Sequence, residues 1–139
     1  MIGPALLMSA AIGAIPALDE TRTAVLADIY STAVLGGGNA AASWDWVLGM
    51  DGTARPRLEI ERLNCTRRRR GAKCDFVVMR APATNASSED QALIRRLSCH
   101  ALFEVFDDGD GKMAWHVVRH VPPHNRGPAL TTMVCNALS

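Results

Sequence analysis

The chain has 139 residues, of which 48% are hydrophobic and 21% charged, and its formal net charge is +1 at pH 7. That length leaves room for one domain and not two, and the balance excludes a disordered or collagen-like chain. The charge is uneven: nine basic and three acidic residues lie between Arg55 and Arg80, so the rest of the chain is net acidic. The basic residues are 13 Arg and 2 Lys, and with abundant alanine this usage points to a GC-rich, bacterial coding sequence.

Met1 to Leu18 carries no charge and is followed at once by Asp19 and Glu20. The pattern predicts a signal peptide over 1–17 ending at Ala17, with an uncleaved membrane anchor as the alternative and a cytosolic core helix as the third reading. It departs from a signal in one respect, since no Lys or Arg precedes the apolar run. The remainder, 18–139, then forms a single domain.

From Asp19 to Leu35 the apolar residues Val25, Leu26, Ile29, Ala33 and Val34 recur at helical spacing, with Asp19 placed as N-cap and Gly36 just past the end. A helix is predicted over about 19–35. Gly36, Gly37 and Gly38 follow as a linker, because no P-loop lysine comes after them. Trp44, Trp46 and Leu48 alternate as in a short strand, and the two indoles are expected to pack against the first helix.

Arg57 to Cys65 and Cys74 to Arg80 read as a hairpin spanning about 57–80. Leu58 and Ile60 share one face of the first strand, whereas Leu63 and Cys65 share the other. A bulge near Glu61 and Arg62 would reconcile them. The TRRRRGAK segment, 66–73, is expected as the connecting loop, with Cys65 and Cys74 facing each other at its base. Ser88 and Gln91 have capping-box spacing, which predicts a short helix over about 89–97 with Arg95 and Arg96 in its last turn. Cys99 to Phe106 and Met113 to Val121 form a second predicted hairpin, about 99–121, turned by DDGDGK. Pro128 to Leu138 fits either a helix or a strand through Thr131 to Cys135. The sum is an α+β domain, a small antiparallel sheet built from two hairpins with helices on one face.

Four cysteines in so short a chain suggest disulfides and an oxidising compartment. Three pairings exist, and the expected register selects Cys65–Cys74 and therefore Cys99–Cys135. Eight residues separate the closest two cysteines, too many for a C-x2-C metal pair.

No motif supports catalysis. His116, His120 and His124 are spaced by four, but on a strand that spacing spans about 13 Å, too far for one ion. Asp107, Asp108, Asp110 and Gly111 fail the register of a calcium loop and fit a solvated hairpin tip. No G-x-S-x-G occurs, and Cys99 and His100 would point to opposite faces of a strand. No catalytic residue, cofactor or metal is therefore assigned.

Arg67, Arg68, Arg69 and Arg70 with Lys73 stand out as an anion-contact cluster, since grouped guanidiniums repel one another unless they meet phosphate or carboxylate. The alternative is a loop that merely keeps a hairpin tip solvated. These features point first to a small exported, periplasmic or secreted, non-enzymatic binding or inhibitory module. Its expected partner is an acidic protein surface or an anionic lipid head group. Nucleic acid ranks last for an exported protein, and a membrane contact through the N-terminus requires residues 1–18 to stay uncleaved. The alternative function is a small enzyme or metal-binding protein using the second hairpin through His100, Glu104 and His120. A purely structural accessory domain ranks third.

Overall fold

The structure, a computed structural model, describes residues 13–37, 57–81, 95–123 and 127–138. The expected Trp44–Trp46 strand, the start of the short helix at 89, and His124 lie outside the described residues.

Helix α1 spans Leu18–Leu35. Its N-cap is Ala17 and not Asp19: the Glu20 carboxylate reaches back three residues to accept the Ala17 N–H at 2.8 Å, while Asp19 lies inside the first turn. A carboxylate at the third helical position satisfies a free N–H at the helix start that an alanine cap cannot. At the other end Gly36 takes φ +86° and donates its N–H to the Thr32 carbonyl at 2.8 Å, as expected of a glycine stop.

The stripe that α1 buries is Thr21, Ala24, Val25, Asp28, Ile29 and Thr32, which recur at helical spacing. Val25 and Ile29 belong to the expected apolar set, but Val34 is exposed. Half of the buried stripe is polar: the Thr21 hydroxyl donates to the Ala17 carbonyl at 2.9 Å, and partners for Asp28 and Thr32 come from elsewhere in the chain. The Arg119 guanidinium donates to the Asp28 carboxylate and to Thr32 Oγ1, and the Thr131 hydroxyl donates to the second Asp28 oxygen at 2.7 Å. Burial of a carboxylate is tolerable only with such pairing.

The main sheet contains β1 (Arg57–Arg68), β2 (Gly71–Ala81), β3 (Arg95–Asp107), β4 (Met113–Val117) and β7 (Val134–Ala137), all antiparallel. The order is β1-β2-β3-β4, and β7 pairs with β3 beside β4 on the same edge. Two short strands, β5 (Arg119–His120) and β6 (Leu130–Thr131), pair separately. Helix α1 packs on one face, where Ala24, Val25 and Ile29 meet Leu58 and Ile60 of β1, Ala72, Cys74, Phe76 and Val78 of β2, Cys99, Ala101 and Phe103 of β3, and Trp115 and Val117 of β4. Alternate residues of each strand thus form the core, as the period of two requires. Phe103, fully buried, meets Phe76 edge-on at a centroid distance of 6.0 Å. Burial of a phenyl group of this kind stabilises the fold by about 1.5–3 kcal/mol.

The bulge expected in β1 is present. Register slips between Glu61 and Asn64, and Arg62 takes φ +52°. That extra residue moves Cys65 onto the face of Cys74, and the two are bonded. Cys99 and Cys135, also directly opposed, form the second disulfide. Both bonds point to an oxidising environment. Among the described residues no helix is long and apolar enough to cross a membrane.

Three elements differ from expectation. The return strand expected over Met113 to Val121 ends at Val117, and Arg119–His120 pair instead with Leu130–Thr131 in the small sheet. Residues 66–73 are not a loop: β1 runs to Arg68, β2 starts at Gly71, and only Arg69 and Arg70 turn between them. Arg95 to Leu97 are strand rather than the end of a helix, because they pair with Arg80, Met79 and Val78 of β2. A central strand gains hydrogen bonds from both neighbours, and this outweighs a local helical preference. The tail, open to either state from its sequence, is strand, with β7 opposed to Leu97–His100.

Candidate anion-binding site at the arginine turn

Position in the sheet determines what the four arginines face. Arg67 opposes Ala72 on the side of α1, Arg68 opposes Gly71 on the outer side, and Arg69 and Arg70 form the turn; all four are exposed. Lys73, also exposed, opposes Thr66 and Leu102 lower on the outer face.

The turn is pressed onto β3 by Gly71. Its φ is +98°, and a Cβ placed there would lie 1.9 Å from the Phe103 carbonyl oxygen and 3.1 Å from Glu104 Cα. Only glycine combines that backbone angle with so close an approach. Below it, the Cys65–Cys74 bond ties the two strands together. The arginines are therefore displayed on a short, doubly constrained turn and not on a free loop.

Two cavities adjoin the turn. One, of about 450 Å³, lies between the arginines and the residues ahead of α1, with Gly13, Ala14, Val105 and Trp115 in its wall. Trp115 is buried, and its indole Nε1 has no acceptor among the described residues. The other, of about 420 Å³, is lined by Arg68, Arg69 and Arg70 with Leu102 and Glu104 of the outer face. Lys73 lines neither. Glu104 borders both cavities, and it is the neighbour of the arginines that sequence order conceals, being 34 positions beyond Arg70.

Ion pairs among the described residues are Arg96–Glu61 at 3.7 Å and Arg119–Asp28 at 2.6 Å. None involves Arg67 to Arg70. Asp28 and Arg119 are spent on structure, since the guanidinium also donates to the carbonyls of Gly36 and Ala129 at 2.7 and 3.0 Å.

The alternative set of His100, Glu104 and His120 is not brought together. His100 and Glu104 share a face of β3 but are separated by about 13 Å of strand, and His120 pairs with Leu130 in the small sheet. Glu104 instead opposes His116, whose ring stacks on Phe106 at 4.2 Å. Among the described residues no group of three His, Cys, Asp or Glu is placed to hold a metal ion. Asp107 caps the β3–β4 turn by accepting the N–H groups of Gly109 and Gly111 at 2.8 and 2.9 Å, so its carboxylate acts in the hairpin itself. All four cysteines are bonded, which leaves no thiol nucleophile.

No family model matches the chain, and no curated protein or solved structure has significant similarity to it.

Proposed function

We propose that this protein is a small exported, non-enzymatic binding module that engages an anionic partner, an acidic protein surface or a lipid head group, through Arg67 to Arg70 with Lys73. The observation that carries the proposal is the display of four consecutive arginines, two at the end of β1 and two in the turn, at a hairpin tip constrained by Gly71 and the Cys65–Cys74 bond. Among the described residues no carboxylate stands within 4 Å of them. A backbone already fixed loses less freedom on meeting an anion than a free loop does, and guanidinium forks engage carboxylate or phosphate oxygens in pairs. Export is supported by the two disulfides and by the uncharged run from Met1 to Leu18.

The test is retention on an anionic matrix under a salt gradient. The wild-type protein is expected to elute at moderate salt, and replacement of Arg67 to Arg70 by alanine to abolish retention. Unchanged elution of that variant overturns the anion contact. N-terminal sequencing of protein from its native host tests export and shows whether the chain is cut at Ala17.

A further inference from the structure

The outer cavity carries charge of both signs. Arg68 at the end of β1 and Arg69 and Arg70 of the turn line it, together with Glu104 of β3. A carboxylate beside three guanidiniums ordinarily closes onto one of them, yet no arginine of the turn comes within 4 Å of Glu104, the ion pairs among the described residues lying elsewhere. Glu104 weakens the hold of this net positive wall on a simple anion, because it repels what the arginines attract. The wall favours a ligand whose anionic and cationic groups lie a few ångströms apart. Guanidinium forks at one turn engage the non-bridging oxygens of a phosphate in pairs, in a monoester and in a diester alike. A volume of about 420 Å³ suits a small head group.

We propose that this cavity binds a phosphate ester bearing a primary ammonium group, the phosphate on Arg68 to Arg70 and the ammonium on Glu104. The proposal rests on the anion contact described above and adds to it a requirement for a cation in the same ligand. Soluble aminoalkyl phosphates and aminophospholipid head groups share this chemistry.

The test is calorimetric titration of the full oxidised chain with O-phosphoethanolamine and with ethyl phosphate. Ethyl phosphate has the greater negative charge, so guanidiniums alone favour it. With Glu104 engaged, phosphoethanolamine binds more tightly, by about fivefold. Glu104→Gln is expected to erase that preference, chiefly by strengthening ethyl phosphate, whereas the Arg69→Ala, Arg70→Ala double variant weakens both. A wild-type preference for ethyl phosphate, equal affinities, no binding of phosphoethanolamine, or a preference that survives Glu104→Gln overturns the aminophosphate site. If the arginine substitutions weaken neither ligand and matrix retention is also unchanged, the anion contact itself falls. Sedimentation with phosphatidylcholine vesicles, with and without phosphatidylethanolamine, separates the sources. Pelleting only with the second assigns a lipid head group, and absence of pelleting with the soluble preference intact assigns a soluble ester.

Discussion

The Arg119 guanidinium donates to the Asp28 carboxylate at 2.6 Å, with the two side chains 17% and 2% exposed. One arginine thereby links α1 to β5 and, through the Ala129 carbonyl, to the chain ahead of β6. Arg119→Met leaves Asp28 buried without its counter-charge, and a loss of about 3–5 kcal/mol is expected by urea unfolding. Adding Asp28→Leu should recover part of that loss, since a buried pair replaced on both sides no longer strands a charge. A double variant no better than the single one would show that the remaining donors and acceptors carry the cost.

Gly71→Ala is expected to destabilise the protein by at least about 2 kcal/mol, read from the denaturation midpoint. The added carbon would overlap the Phe103 carbonyl oxygen, and the backbone at φ +98° disfavours any side chain. Retention on an anionic matrix should fall in the same variant, because the turn must lift from β3.

The two disulfides differ in reach, with sequence separations of 9 and 36. Loop-closure entropy therefore assigns about 2–3 kcal/mol to Cys65–Cys74 and about 4 kcal/mol to Cys99–Cys135. Paired Cys→Ala variants compared by chemical denaturation should follow that order. Loss of the first bond should also weaken retention on the anionic matrix, whereas loss of the second should not.

Pro16 is fully buried just ahead of α1, and the Ala17 N–H is held by Glu20. A chain beginning at Leu18 lacks both contacts. Its thermal midpoint is expected to lie several degrees below that of a chain beginning at Gly13, for a loss of about 1–2 kcal/mol. Coincident midpoints would show that the segment adds nothing to the domain.

Several features were legible in the sequence because their signals are local. Gly36 ends α1, DDGDGK turns β3 into β4, and the switch of apolar face after Ile60 required a bulge that brings Cys65 opposite Cys74. Once that pair was placed, the second disulfide followed by elimination. The cluster at Arg67 to Arg70 was equally plain as composition, though not its geometry: eight residues expected as a loop are two strand ends and a two-residue turn.

By itself, then, the sequence determined the first helix, the bulged first hairpin, the turn at DDGDGK, the cysteine pairing and the place of the basic cluster, all of which depend on spacing within about ten residues or on pairing arithmetic. The tertiary structure alone decided three things. Asp28 could be judged a core residue only once Arg119, 91 positions away, was seen to neutralise it. Arg95 to Leu97 became strand because β2 supplied their partners. Glu104 came to border the arginine turn because Gly71 admits close contact with β3. In each case the deciding energy is a contact between distant segments, which forms only when the sheet closes and leaves no periodic trace along the chain.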